Sequence, residues 1–153
     1  MKTPAIRLLD QKKKAYTLHT YSIEDGLLDG KSVVKKLNVK EEDLYKTLVL
    51  QGSSQKVYVF LVPTSEELNM KKTAAQLGEK KVALLPLKEL KQLTGYEKGG
   101  CSPLAMKKSF PVYLPESSRD KDSILINGGA LGLSVELSPK VLDELLELHH
   151  YDL

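Results

Sequence analysis

The segment EEDLYKTLVLQGSSQKVYVFLVP, residues 41–63, decides the fold class of this chain. Two apolar runs rich in β-branched and aromatic residues, TLVL at 47–50 and VYVFLV at 57–62, flank the polar sequence GSSQK. Runs of this kind on either side of a short polar turn are typical of two strands in a β-hairpin. Because the doublet is almost continuously apolar, we expect it to occupy the centre of a sheet.

Helix and strand signals surround this hairpin in an irregular order. Apolar spacing and capping residues predict helices at 3–15, 32–38, 70–78, 86–95 and 138–150. Strand patterns occur at 16–21, 82–85, 111–114, 123–127 and 132–137. These elements do not alternate regularly enough for a doubly wound sheet. The sequence therefore predicts an α+β fold, a mixed, largely antiparallel sheet with helices around it.

The composition indicates one soluble domain that spans residues 1–153. Cys101 is the only cysteine, which excludes an intrachain disulfide and favours a reducing, cytoplasmic setting. No apolar run is long enough to span a membrane, and the N-terminus lacks the apolar core of a signal peptide. The net charge is only +3, yet several lysine pairs would bind phosphate if they converged on one face.

The sequence contains no P-loop, no G-x-G-x-x-G after a first strand and no H-E-x-x-H. His19 lies within a predicted strand, where we expect a structural role. His149 and His150 are expected to interact with the end of the last helix. Cys101 would need a base or a positive environment to act as a nucleophile, and only Lys98 is close to it in sequence. We therefore expect Cys101 to fill a turn as a small residue.

Lys46 stands where the chain enters the first strand of the hairpin. Lysine at such a position is most often an exposed strand end. If Lys46 instead lines a cavity, its ammonium group can fix a phosphate or carbonyl oxygen without acid–base chemistry. The residue pattern leaves both roles open.

Two glycine pairs lie in predicted loops, one at 99–100 and one at 128–129. Glycine lets the backbone approach a ligand closely, so each pair can present N–H groups to an anionic or carbonyl oxygen. Tight turns that bind nothing are the alternative. Together with the strand lysine, the two loops predict a small basic pocket whose substrate the residues alone do not name.

Three stretches together resemble the YbaK/EbsC family of aminoacyl-tRNA deacylases: LYKTLVL at 44–50, TGYEKGGCSPLAMKK at 94–108 and ILINGGALGLSVELSP at 124–139. The opening TPAIRLL and the strand LHTY are similar to the family as well, so the resemblance covers nearly the whole chain. It implies an irregular, barrel-like mixed sheet flanked by helices, which agrees with the α+β prediction. It implies neither a cofactor nor a metal.

The resemblance also implies a role in translation fidelity. Family members resemble the editing insertion domain of bacterial prolyl-tRNA synthetase, and free-standing members remove a wrong amino acid, best known as cysteine, from tRNA(Pro). A pocket sized for proline cannot strongly reject a side chain of similar size, because one methylene is worth only about 1–3 kcal/mol. The implied partners are the acceptor end of mischarged tRNA(Pro) and, as a candidate, prolyl-tRNA synthetase; the oligomeric state stays open.

The key lysine of the family matches Lys46, which is therefore the expected catalytic residue. Its other site positions match a tyrosine, the threonine after the lysine and the two glycine loops, which in this chain are Tyr21, Thr47, Gly99, Gly100, Ser102, Asn127, Gly128 and Gly129. In cysteine-specific members the substrate thiol attacks its own ester carbonyl and releases a cyclic thiolactone. That mechanism needs orientation and oxyanion stabilisation but no protein base.

Three other interpretations stay open. Attack by a bound water would allow alanine or another small amino acid as the substrate; a non-catalytic module would bind the tRNA end or a synthetase; and a thiol esterase would use Cys101. The chain also departs from the family pattern. Ala130 and Leu131 stand where many members carry a basic pair, and Ala105 stands where glycine is common. The first departure weakens the case for phosphate contacts from that loop.

Overall fold

The computed structural model describes residues 2–153. Its helices are α1 Pro4–Gln11, α2 Gly30–Leu37, α3 Met70–Leu77, α4 Leu87–Thr94 and α5 Pro139–Leu145. Its strands are β1 Thr17–Thr20, β2 Tyr45–Gly52, β3 Val57–Pro63, β4 Val82–Leu84, β5 Val112–Pro115, β6 Ile124–Asn127, β7 Leu133–Leu137 and β8 Leu148–Tyr151. Within residues 2–153, none of the helices has the length and hydrophobicity that a membrane span requires.

The strands form two sheets. One has five strands in the order β4-β2-β3-β5-β8, and the other has three in the order β1-β7-β6. Only the β3–β5 and β5–β8 pairs are parallel, so the sheets are mixed and largely antiparallel. A parallel bridge between Leu44 and Leu125 joins the two sheets, which do not close into a barrel. The predicted α+β class is confirmed.

The β2–β3 hairpin lies inside the five-stranded sheet, as its apolar sequence predicts. The Gly52 N–H donates to the Lys56 carbonyl oxygen at 2.9 Å and closes the turn. Val59 and Leu61 pack into the main core, whereas Phe60 and Val62 belong to a second apolar cluster. Because successive side chains of a strand point to opposite faces, both faces of β3 are covered. This double burial explains why β3 is apolar at nearly every position.

Local signals end three of the helices where the sequence predicts. Asn38 follows α2 with φ of 55°, Gly78 follows α3 with φ of 72°, and Gly95 follows α4 with φ of 85°. A left-handed residue at this position satisfies the last carbonyl groups of a helix, and glycine and asparagine adopt it at the lowest cost. At the other end of the chain, the Thr3 side chain accepts a hydrogen bond from the Ile6 N–H and caps α1.

The prediction of a helix through residues 138–150 is wrong at its C-terminal end. Helix α5 ends at Leu145, and Leu148–Tyr151 form the edge strand β8, which pairs in parallel with β5. His149 therefore lies opposite Tyr113 in the sheet, with the two ring centres 4.9 Å apart, and not at a helix end. Pairing with the free edge of β5 outweighs the helix propensity of this leucine- and glutamate-rich segment.

Candidate functional site

A cavity of about 270 Å³ lies where residues from both sheets meet. Strand β2 supplies one wall, helix α2 and the loop before it supply another, and the two glycine loops supply a third. Its apolar wall is formed by Leu28, Val33, Leu44, Leu48 and Cys101. Its polar and charged lining consists of Tyr21, Tyr45, Lys46, Thr47, Thr64, Lys98, Asn127 and Ser134.

The cavity lining contains lysine but no carboxylate and no imidazole. Lys46 and Lys98 are both exposed, and neither forms an ion pair among residues 2–153. Their positive charges are therefore not neutralised within the described part of the protein. A site with this composition can attract and stabilise negative charge, but it offers no aspartate, glutamate or histidine as a general base.

Strand β2 holds Lys46 between two residues with unusual hydroxyl groups. Lys46 pairs with Val62 of β3, so its backbone is fixed inside the sheet. The Tyr45 hydroxyl and Thr47 Oγ1 are shielded from solvent and have no hydrogen-bond partner among residues 2–153. Burial raises the pKa of Tyr45 to about 12, so this hydroxyl stays protonated at neutral pH. Buried hydroxyl groups without a hydrogen-bond partner are uncommon in folded proteins. The Tyr45–Thr47 segment therefore contains two polar groups whose hydrogen-bonding capacity is not used among residues 2–153.

The side chain of Asn127 joins the two glycine loops. Its Nδ2 donates to the Gly99 carbonyl oxygen at 2.8 Å, and its Oδ1 accepts from the Gly129 N–H at 2.7 Å. Both ends of the amide are thus used within the protein. Asn127 therefore sets the distance between the loops that carry the two glycine pairs.

Most of the glycine N–H groups are already engaged, which corrects the expectation that both pairs offer free donors. Gly100 donates to the Glu97 carbonyl oxygen at 3.0 Å and Gly128 to that of Leu133 at 2.9 Å. The Gly129 N–H is bound by Asn127. Among residues 2–153, only the N–H of Gly99 is left without an acceptor within these pairs.

The predicted site residues fall into three groups. The cavity is lined by Tyr21, Lys46, Thr47, Gly99 and Asn127. A second cavity, on the other side of the first glycine loop, is lined by Gly100 and Gly129. Neither cavity is lined by Ser102 or Gly128. Ser102 is fully buried, and its Oγ accepts a hydrogen bond from the Leu104 N–H at 3.1 Å, so its contact is with its own loop.

Sequence reasoning missed several residues of the cavity wall. Ser134 of β7 is buried yet lines the cavity, and Thr64 lines it from the end of β3. The only local signal for Ser134 is a small polar residue in the apolar strand pattern GLSVEL. Both residues reach the cavity only because distant segments pack together.

No group of three or more His, Cys, Asp or Glu side chains within residues 2–153 is placed to hold a metal ion.

Cys101 lines the cavity, but its environment does not favour a thiolate. The residue is buried, and burial raises the pKa of its thiol to about 11. Because the thiolate is the nucleophilic form, this burial disfavours a nucleophilic role for Cys101. If the site has the deacylase activity that the sequence resemblance implies, Cys101→Ala should leave its rate within about threefold of wild type and the pH–rate profile unshifted. Loss of more than about a hundredfold at unchanged thermal stability would instead identify Cys101 as a nucleophile.

A sequence model of the aminoacyl-tRNA editing domain matches residues 28–145. The chain belongs to this family. The matched segment carries most of the cavity lining, from Leu28 to Ser134, whereas Tyr21 lies before it. The family assignment predicted from the three sequence stretches is thereby confirmed.

Two curated relatives and one solved structure illustrate the match. The chain is 38% identical over 141 residues to EbsC of Enterococcus faecalis (strain ATCC 700802 / V583), named as a candidate Cys-tRNA(Pro)/Cys-tRNA(Cys) deacylase, covering 92% of this chain and 86% of the relative. It is 28% identical over 108 residues to the uncharacterised YwhH of Bacillus subtilis (strain 168), which covers 71% of this chain and 68% of that relative. The solved structure of a candidate trans-editing enzyme for prolyl-tRNA synthetase superposes on this chain with a TM-score of 0.83 at 20% sequence identity. The superposition covers 99% of this chain and 97% of the other. That last likeness supports the fold.

Proposed function

We propose that this protein is an aminoacyl-tRNA deacylase that removes cysteine from mischarged tRNA(Pro), with the substrate thiol as the nucleophile. The observation that carries the proposal is the cavity lining, in which Lys46 has no ion-pair partner among residues 2–153 and no carboxylate or imidazole is present. Water attack on an ester normally relies on a general base, and this wall supplies none of the usual ones. A substrate that carries its own nucleophile removes that requirement. The relationship to a protein named as a candidate Cys-tRNA deacylase agrees with this choice.

In the proposed reaction, the sulfur of the bound cysteinyl group attacks the ester carbonyl carbon. The new S–C bond forms as the C–O bond to the terminal ribose breaks, the thiol proton passes to the ribose oxygen, and a cyclic thiolactone leaves. Water then opens the thiolactone to free cysteine. The reaction needs no added oxidant, metal or cofactor, because its atoms and electrons balance within the substrate and water.

Lys46 is the residue to which we assign stabilisation of the developing oxyanion. Its ammonium group carries a full positive charge that no carboxylate among residues 2–153 offsets. Gly99 lines the same wall, and we assign its N–H, which has no acceptor among residues 2–153, as a second donor. Donors held rigidly before the reaction stabilise a transition state without the cost of reorganisation. Tyr21, Thr47 and Asn127 complete the wall that we assign to the aminoacyl adenosine.

A second candidate is water attack on a small amino acid that lacks a thiol, such as alanine. The observation that favours it is Ser134, a hydroxyl-bearing residue in the wall of the cavity. A serine hydroxyl can orient a water molecule, although it is not basic at neutral pH. A binding module that leaves the ester intact is the remaining possibility, and turnover separates it from both enzymes.

We expect rapid release of cysteine from cysteinyl-tRNA(Pro) and release from seryl-tRNA(Pro) that is at least about a hundredfold slower. Serine differs from cysteine by one atom, so it fits the same cavity but offers a much weaker nucleophile. The measurement is release of radiolabelled amino acid from cysteinyl-, seryl-, alanyl- and prolyl-tRNA(Pro). Comparable rates for cysteine, serine and alanine would favour water attack, and no release from any substrate would favour the binding module.

A further inference from the structure

A second cavity, of about 340 Å³, lies beside the first and is here named the flank groove. It is lined by Lys91, Tyr96, Lys98, Gly100, Gly129 and Leu131, among others. The segment 98–101 contributes alternately to the two cavities, with Gly99 and Cys101 in the first and Gly100 in the second. Among residues 2–153, Lys98 alone lines both. Lys98 therefore borders both the flank groove and the proposed active site.

Lys98 is the free positive charge at this junction. In the flank groove Lys91 and Glu97 form an exposed ion pair at 3.2 Å, so their charges offset each other. Lys98 has no carboxylate partner among the described residues and is exposed. The border between the two cavities thus carries a net positive charge, which attracts anions.

The charge of Lys98 limits which part of the substrate can lie next to it. An aminoacylated tRNA end carries an amino group on the amino acid, which a lysine would repel when both are protonated. Its permanent anions are the phosphodiester groups, and the nearest one joins the terminal adenosine to the nucleotide before it. A lysine ammonium binds such a phosphate as a point charge.

Apolar surface lies beside this charge in the flank groove. Leu131 is 41% exposed, which is high for leucine, and Pro4 and Ala130 line the groove near it. A β-carbon at Gly99 would lie 2.7 Å from Leu131 Cδ2, so the leucine side chain packs directly over the first glycine loop. A cation next to an apolar surface is the combination that binds a single-stranded nucleotide, through its phosphate and its base.

We propose that Lys98 binds the phosphodiester 5′ to the terminal adenosine and that the flank groove holds the preceding nucleotide. This proposal rests on the proposed function, because it places an aminoacylated tRNA end in the first cavity. It makes Lys98 a substrate-positioning residue, in contrast to Lys46, which acts on the reacting ester. It also explains how a chain with alanine and leucine at 130–131 retains a phosphate contact near its glycine loops.

The test compares two cysteine esters, cysteinyl-tRNA(Pro) and 3′-O-cysteinyl adenosine, which has no phosphate. Lys98→Gln should lower the ratio of kcat/KM for the tRNA to kcat/KM for the adenosine ester by about five- to tenfold. Loss of one phosphate contact on a single strand should also make log kcat/KM for the tRNA depend less steeply on log salt, by about 0.7. Lys98→Arg should keep the ratio near that of wild type, because it keeps the charge.

Lys80→Gln is the matched control, since Lys80 is exposed in the turn between α3 and β4 and lines neither cavity. It should change neither the ratio nor the salt dependence. An unchanged ratio and slope for Lys98→Gln, with wild type active on both esters, would overturn this proposal and leave the deacylase function standing. Equal losses on both esters would also overturn it, because they would place Lys98 at the reacting group. Wild-type inactivity on both esters would overturn the function and this proposal together.

Discussion

Lys46→Ala should lower the rate of cysteine release from cysteinyl-tRNA(Pro) by about 10²–10³-fold while leaving the protein folded. The large effect is expected because Lys46 is the lysine of β2 to which we assign the oxyanion, whereas Lys98, the other lysine of the lining, lies at the border with the flank groove. A single-turnover measurement at saturating enzyme reports the chemical step alone, so weaker substrate binding cannot account for the loss. A rate within about threefold of wild type would contradict the role assigned to Lys46.

Stability is the necessary control for this variant. Lys46 is exposed and makes no side-chain hydrogen bond or ion pair among residues 2–153, so its removal should change the free energy of unfolding by no more than about 0.5 kcal/mol. Thermal unfolding of Lys46→Ala should therefore overlay that of wild type. Lys80→Ala removes another exposed lysine, one that lines neither cavity, and should alter neither activity nor stability. A clear fall in the Tm of Lys46→Ala would mean that lost activity reflects a loosened strand.

The parts of the fold that the sequence predicts are those fixed by neighbouring residues. The β2–β3 hairpin follows from two apolar runs and a five-residue polar turn, and the ends of α2, α3 and α4 follow from Asn38, Gly78 and Gly95. Each of these signals acts within a few residues. Their confirmation reflects agreement between local propensity and the final packing.

The parts that the sequence does not predict depend on contacts between distant segments. The LHHY strand exists because β5 has a free edge, which no local pattern at 148–151 reveals. The hydrogen bonds that engage three glycine N–H groups also depend on distant contacts; they are those of Gly100, Gly128 and Gly129. A glycine pair indicates that the backbone approaches another group closely, but it does not show whether that group is a ligand or another part of the protein. In this protein the two loops approach each other. Gly100 illustrates this, since a β-carbon there would lie 3.0 Å from Ala130 Cα.

Ala105 departs from the family pattern at a position where the backbone conformation favours glycine. It stands where glycine is common in the family, and its φ of 56° lies in the left-handed region that favours glycine. Ala105 therefore has a backbone conformation that glycine adopts at a cost lower by about 1–2 kcal/mol.

Gly129→Ala should be the most destabilising glycine substitution near the site, lowering the free energy of unfolding by about 2–5 kcal/mol. Gly129 has φ of 99°, and a β-carbon there would lie 3.0 Å from Thr3 Cβ, Thr3 Oγ1 and Tyr96 Cε1. A left-handed backbone costs alanine about 1–2 kcal/mol, and forcing extra atoms into a packed site costs about 1–3 kcal/mol more. Thr3 is not free to move, because its hydroxyl caps α1 and donates to the Gly128 carbonyl oxygen at 2.5 Å.

Gly26→Ala separates the two contributions, because Gly26 has φ of 71° but no atom within 4 Å of its added β-carbon. It should cost only the backbone strain of about 1–2 kcal/mol, so urea unfolding of the two variants measures the contact contribution as a difference. Equal costs would contradict close packing of the two loops against Thr3 and Tyr96.

Because Asn127 ties the Gly129 N–H to the Gly99 carbonyl, a displaced Gly129 should also move the cavity wall. Gly129→Ala should then slow deacylation even where it is fully folded, whereas Gly26→Ala should not.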